Sequence, residues 1–218
     1  EAAGAACLIA DLGRPARFIY MLRVFRPTSP MNVGTWILSA AGASSGLALL
    51  APRERGLGVV GALGAVSGAM LSTYTGVLVG NTAIPIWDAT RTRLPLHFAA
   101  SSASSLASLL ELLGHERRGY SIAAKAAELV TGFAVERAAR ATGLDAPLRE
   151  GRSGWMWRGA KWLGMASLAA TVLARPKLAG VLGTTSALLG RFAIVEAGKA
   201  SAADPRATFE SQRRLTPS

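Results

Sequence analysis

Seven ionisable side chains lie within or at the edge of apolar stretches of this 218-residue sequence, and they are the first candidates for chemistry. A charged group in apolar surroundings is costly, so it usually faces a protein interior, a water pathway or an opposite charge. Lys125 and Glu128 are three residues apart, and Glu136 and Arg140 are four apart, which predicts that each pair neutralises itself on one helix face. Their spacing leaves open whether they are structural or carry protons. The seven are Asp11, Glu111, Lys125, Glu128, Glu136, Arg191 and Glu196.

Two histidines and one tyrosine are the remaining candidates. His97 lies in an apolar stretch, and His115 lies in the short segment GHERRG. A haem inside a membrane bundle commonly needs two facing axial ligands, and this pair is poorly placed for that, so we predict no haem. His97 is either a polar side chain near a membrane surface or a ligand for a quinone or a proton. Tyr74 either packs as an apolar ring or offers its hydroxyl to a quinone carbonyl.

Other kinds of site are excluded by what the sequence lacks. The single cysteine, Cys7, cannot form an internal disulfide and cannot by itself hold an iron–sulfur cluster or a structural zinc ion. The sequence contains no P-loop, no H-E-x-x-H and no nucleophile triad. Any metal centre is therefore expected in a partner, and catalysis by this chain alone is not expected.

The elements that must position these residues are membrane helices. Half of the residues are hydrophobic and only 17% are charged, against about 25% in soluble domains, and the mean hydropathy is +0.32. Two stretches, 31–52 and 56–87, contain no charged residue at all. About 20 apolar residues cross a bilayer core. The apolar stretches predict a partial helix to about residue 12 and helices near 31–51, 57–84, 94–113, 119–139, 158–174 and 177–198.

Several features refine this prediction. Ser29 followed by Pro30 is typical of a helix N-cap with proline in the first turn. Pro85 is expected to kink or end the second helix. Glycine, alanine and serine are abundant in the helices, which indicates close helix packing in a membrane. Residues 119–139 are interrupted by charges, so an amphipathic helix at the membrane surface is the alternative there. We divide the chain into a bundle, 1–200, and a polar tail, 201–218.

The basic residues, which give a net charge of +11, suggest the orientation. If the helices alternate, 14–29, 86–93, 140–157 and the C-terminal tail share one side, and this side is richer in arginine and lysine. The positive-inside rule places that side, with the C-terminus, in the cytoplasm. Because the basic residues lie in short loops without interleaved stacking aromatics, they predict contact with anionic lipid and no nucleic acid binding.

Three segments carry a resemblance to a known family. The first is LIADLGRPARFIYMLRVFRPTSPMNVGTWILS (8–39), with its D-L-G-R-P and S-P-M; the second is TYTGVLVGNTAIPIW (73–87); the third is RFAIVEAGKASAADPRATF (191–209). In this order they resemble the NrfD/PsrC-like family, the membrane subunits of polysulfide reductase, formate-dependent nitrite reductase and related oxidoreductases. The resemblance runs along most of the chain.

The resemblance implies a function and a set of residues. It implies an eight-helix bacterial inner-membrane subunit that exchanges electrons between quinone, either menaquinone or ubiquinone, and a ferredoxin-like iron–sulfur subunit. A molybdopterin or multihaem cytochrome subunit would complete the complex. Tyr74 resembles a quinone-contacting tyrosine, and Asp11 and Arg14 fall in the signature loop, where they would order the loop or exchange protons. His97 is a further candidate for quinone contact, and Lys125, Glu128 and Glu136 are candidates for a proton pathway.

The start of the sequence differs from the family. Members have about two helices before the signature loop, whereas only a short stretch precedes Asp11 here, so we expect that N-terminal helices are missing. Two other functions remain as alternatives. A transporter-like bundle would line a substrate path with the same ionisable residues and would have broken helices. A purely structural anchor would leave Tyr74 in contact with only protein or lipid.

Overall fold

The computed structural model describes residues 22–50, 58–115 and 117–205, together with Ala10 and Tyr20. Every regular element in this part of the chain is a helix. We number them α1 (Pro30–Leu50), α2 (Val59–Gly80), α3 (Pro85–Ala89), α4 (Leu94–Leu112), α5 (Arg118–Ala141), α6 (Ala146–Arg149), α7 (Gly151–Val172) and α8 (Pro176–Ala203). The chain divides into two compact units, Glu1–Leu78 and Val79–Ser218.

In the first unit, α1 and α2 lie side by side. The backbone N–H of Asn32 donates to Ser29 Oγ over 3.4 Å, which confirms the predicted cap before Pro30. The hydroxyls of Ser44 and Ser67 lie 3.3 Å apart, one on each helix. Small side chains at this crossing allow the two backbones to approach closely.

In the second unit, four long helices form a closed ring. Helix α4 packs on α5, α5 on α7, α7 on α8, and α8 on α4, and short connections make consecutive helices antiparallel. The ring is tied by hydroxyl groups that donate to backbone carbonyls of neighbouring helices: Ser167 Oγ donates to Ala179 O at 2.7 Å, and Ser186 Oγ to Ala160 O at 2.8 Å. An apolar core of ten buried residues around Trp157 fills the end of the ring that holds α3 and α6.

The distribution of polar and apolar side chains in this ring is inverted relative to a soluble bundle. Outside the core around Trp157, many serine and threonine side chains and the charged Glu111, Lys125 and Glu136 are buried, whereas many large apolar side chains point outward. Such an arrangement suits lipid surroundings, in which apolar surface carries no penalty and polar groups must find partners inside. The outward apolar residues include Leu96, Leu106, Leu109, Val130, Phe133, Trp162, Leu173, Leu188 and Phe192.

Two described helices, Val59–Gly80 and Pro176–Ala203, are long and apolar enough to cross a membrane by length and composition alone. In the second unit, α4 is rich in serine, and α5 and α7 carry charged side chains in their central turns, which lowers their hydropathy. In α5, Lys125 and Glu136 are directed into the ring, whereas the arginines near its ends are exposed. The buried Lys125 and Glu136 therefore contradict the alternative of a surface helix with its charged face in water.

Three predicted boundaries are wrong. Helix α2 ends at Gly80, and the predicted extension to residue 84 is a turn followed by the short helix α3, in which Pro85 is the first residue. Helix α7 begins at Gly151, seven residues before the predicted start, and its first turns place Arg152 and Trp155 on the outer face and Trp157 in the core. Helix α8 continues to Ala203, five residues beyond the predicted end.

Candidate functional site

A cavity with ionisable groups in a mainly apolar wall lies inside the four-helix ring of the second unit. Its volume is about 40 Å³, which is enough to hold water. Apolar and small residues form most of its walls. Four ionisable side chains line it as well, and these are His97, Glu128, Lys161 and Arg191.

Glu128 and His97 face this cavity from α5 and α4. The Glu128 carboxyl group accepts hydrogen bonds from the hydroxyls of Ser104 and Ser101, and the charge of Arg191 acts on it across the cavity. His97 is buried, with Nδ1 lying 3.2 Å from Thr131 Oγ1 and its ring 5.6 Å from the Trp157 ring. The structure thus brings together two residues that the sequence predicted separately.

Glu136 lies one to two helix turns beyond the cavity and is held by three donors. Its Oε1 accepts a 2.6 Å hydrogen bond from Trp157 Nε1 and a short one from Lys161 Nζ, while Arg140 Nη2 lies 3.4 Å from Oε2. The predicted Glu136 and Arg140 pair is therefore confirmed. Lys161 also lies over the Phe133 ring, with Nζ 5.1 Å from its centre.

Lys125 pairs with a residue other than the predicted one. Its Nζ donates to Glu111 Oε2 at 2.5 Å and to Thr171 Oγ1 at 2.8 Å, and no ion pair joins it to Glu128. A helical side chain leans toward the N-terminus of its own helix, so Lys125 extends away from Glu128 and reaches the end of α4. The prediction that Lys125 and Glu128 neutralise each other is wrong for this reason.

These groups follow one another along α5. Lys125 and Glu136, with Glu128 between them, are 11 positions apart, or about 16 Å along the helix axis. Glu111 and Thr171 also line a pocket at one end of the ring, and Glu136 lines a pocket at the other. Polar groups therefore extend from one end of the second unit through the central cavity to the opposite end.

Tyr74 lies in the first unit and is tied to α1. Its hydroxyl donates to the carbonyl oxygen of Pro30 at 2.9 Å. Its ring occupies the space beside Gly34, where a Cβ atom would lie 1.8 Å from Tyr74 Cζ. The tyrosine is half-buried, so part of its ring remains accessible. Asp11 and Arg14, the other predicted contacts of the cofactor, lie outside the described residues.

Sequence reasoning missed three members of the site. Lys161 and Trp157 contact Glu136, and Thr171 completes the Glu111 and Lys125 cluster. These residues are 21 to 60 positions from their partners, so local spacing gave no signal for them. The sequence did carry a signal for the Glu111 and Lys125 pair. Both charges lie in apolar stretches, and two opposite buried charges favour pairing with each other.

Comparison with known proteins agrees with the fold. Searches of curated proteins and of solved structures gave no match. The family described as polysulfide reductase, NrfD, matches residues 2–204, which is nearly the whole chain. The all-helical second unit, with polar groups inside and apolar groups outside, is what an integral membrane protein requires. The chain therefore belongs to the polysulfide reductase NrfD family and is an integral membrane subunit of a multi-subunit oxidoreductase.

Proposed function

We propose that this chain is the quinone-reactive subunit of its oxidoreductase complex, exchanging electrons between the quinone pool and a partner iron–sulfur subunit. Oxidation of one quinol yields a quinone, two electrons and two protons. The observation that carries the proposal is the family match over 2–204. Because a single cysteine cannot hold an iron–sulfur cluster, the electrons must pass to or from a centre in another subunit.

The proposed quinone contact is Tyr74. Its hydroxyl hydrogen is already donated to Pro30 O, whereas its oxygen retains acceptor capacity. A quinol hydroxyl could donate to this oxygen without breaking the bond between α1 and α2. Tyr74 in this arrangement would therefore accept a hydrogen bond from quinol, the reduced form of the substrate, which carries hydroxyl groups. Asp11 and Arg14 are proposed to order the signature loop or to exchange protons near this contact, as the family resemblance implies.

The proposed proton route runs along α5, with Glu128 as the group that changes its protonation. Lys125 is paired with Glu111, and Glu136 is bound by two cations, so a change in the charge of either group would leave a buried partner uncompensated. Glu128 receives hydrogen bonds from neutral hydroxyls and is joined to no cation by an ion pair among the described residues, although the charges of Arg191 and Lys125 act on it. Water molecules in the adjacent cavity would connect it with His97 and Lys161. We propose His97, which lines the same cavity as Glu128, as a member of the proton route or a quinone contact.

The finer assignments follow from the family resemblance. We propose a ferredoxin-like iron–sulfur partner, a catalytic molybdopterin or multihaem cytochrome subunit, and menaquinone or ubiquinone as substrate. We also propose a bacterial inner membrane location with the C-terminus in the cytoplasm. In the second unit this orientation puts α3, α6 and the α5–α7 connection on the cytoplasmic side.

The test begins with purification of the tagged chain from its native membranes in a mild detergent. The proposal predicts that an iron–sulfur subunit copurifies and that added quinol reduces its clusters, as seen by electron paramagnetic resonance. A chain that purifies alone and retains function in vesicles without quinone would contradict the proposal and favour a transporter. A copurifying subunit whose clusters do not respond to quinol would favour a structural anchor.

A further inference from the structure

A basic pocket lies at the end of the second unit that holds α3 and α6. Its cavity volume is about 290 Å³. Arg140 comes from the end of α5, Arg149 from α6, and Arg158 and Lys161 from α7. Four basic side chains from three helices thus line the same pocket. We call this the basic pocket; it is lined by Glu136, Arg140, Leu148, Arg149, Glu150, Arg158 and Lys161.

The charges of the basic pocket do not cancel. Glu136 and Glu150 lie in its wall, and Asp145 lies 3.9 Å from Arg140 and 3.4 Å from Arg149. Four cations therefore meet three carboxylates, which leaves one positive charge in excess. Of the four cations of the basic pocket, Arg158 is the one that forms no ion pair with a carboxylate of the described residues. The one hydrogen bond of its guanidinium group to the described residues is donated by Nε to Gly154 O at 3.3 Å. Its terminal nitrogens are thus available to an anion.

The surroundings of the pocket indicate that it lies at the membrane surface. Trp155, Arg158 and Trp162 are three and four residues apart on the outer face of α7, and the two tryptophans are 65% and 70% exposed. Tryptophan is enriched where lipid chains meet head groups. On α5, the outward residues Val130 and Phe133 are followed by exposed arginines at the helix end, as on a helix that leaves the hydrocarbon layer.

We propose that the basic pocket binds the phosphate head group of an anionic phospholipid, with Arg158 as the principal contact. A phosphodiester carries one negative charge, which matches the excess charge of the pocket. The planar guanidinium group donates two parallel hydrogen bonds to phosphate oxygens. The acyl chains would extend along the apolar surface beside Phe133 and Trp162. A soluble acidic peptide would not use these outward aromatic residues, so the surroundings favour a lipid.

The experiment uses the purified complex in detergent and measures its melting temperature against added phosphatidylglycerol. Binding to the folded state raises the melting temperature in a concentration-dependent manner. We expect phosphatidylglycerol to do so, and phosphatidylcholine and inorganic phosphate at equal concentration to have no such effect. Arg158→Gln should weaken the apparent affinity for phosphatidylglycerol about tenfold, because a charged hydrogen-bond pair is lost.

Matched variants keep the test decisive. Arg175→Gln removes an exposed arginine at the opposite end of the ring and should bind phosphatidylglycerol as the unchanged protein does. Arg149→Gln provides a second change within the pocket if Arg158→Gln does not fold. An equal response to inorganic phosphate would show a free-anion site and overturn the proposal. An equal response to phosphatidylcholine, or an unchanged affinity in both pocket variants, would overturn it as well.

Discussion

Lys125 and Glu111 form an ion pair between α5 and α4, with Nζ and Oε2 2.5 Å apart and side chains only 2% and 1% exposed. Thr171 from α7 completes the cluster by contacting both residues. The ion pair and its two hydrogen bonds to Thr171 thus join three of the four helices of the ring. Because both charges are buried, each depends on the other for its stability.

Replacing Lys125 alone should therefore be strongly destabilising. We expect Lys125→Met to cost about 3–5 kcal/mol, because it leaves the Glu111 carboxylate buried without its cation. Thermal unfolding in detergent measures the loss. In the double variant Lys125→Met and Glu111→Leu, most of the stability should return, since no charge remains unpaired. Lys199→Met, which breaks an exposed ion pair with Glu196, is the control and should change nothing measurable. A double variant as unstable as the single one would contradict this account.

Gly183 marks a close contact of α8 with α4 and α7. A Cβ atom there would lie 2.1 Å from Ser108 Oγ and 2.8 Å from Ser167 Oγ. We expect Gly183→Ala to lower the free energy of unfolding by about 1–3 kcal/mol through overpacking. At Gly190 the nearest atom would be Ala160 Cβ at 3.6 Å, an ordinary contact. Gly190→Ala should therefore be neutral or slightly stabilising, and equal losses at the two positions would refute the packing argument.

Glu128→Gln tests the proposed proton route. The amide keeps the size and part of the hydrogen bonding of the carboxyl group but cannot release a proton. In vesicles that contain the complex and a pH-sensitive dye, we expect proton uptake linked to quinol turnover to fall about tenfold or more, as expected when a proton-transfer group is lost. Glu196→Gln, a change of the same type outside the cavity lining, should leave the uptake unchanged. Unchanged uptake in Glu128→Gln would exclude this residue from the route.

The helix positions were largely predictable because the physical signals are local. Pro30 and Pro176 each begin a helix, as their fixed backbone angle and missing N–H favour. The start of α7 was missed because charge was interpreted as loop. Arg152 in fact lies exposed on the helix, which begins at Gly151 with φ of +63°.

The partners in the site were less predictable because they depend on helix packing. The Glu136 and Arg140 pair was predicted correctly, since a residue four positions later leans back toward its partner. The same geometry turns Lys125 away from Glu128. Whether a lysine finds its partner on its own helix or on the next one depends on which helices are neighbours, and spacing within one helix does not contain that information.

Quinone turnover in the Tyr74→Phe variant tests the central claim most directly. Both Tyr74 and Tyr120 donate their hydroxyl to a backbone carbonyl of another helix, at 2.9 and 3.2 Å, so Tyr120→Phe removes a bond of the same type from the second unit. In the purified complex we predict that Tyr74→Phe lowers quinol-dependent electron transfer about tenfold or more, as expected when a hydrogen bond to the reacting substrate is lost. Tyr120→Phe should retain the rate. Equal rates in the unchanged protein and in both folded variants would contradict a quinone contact at Tyr74.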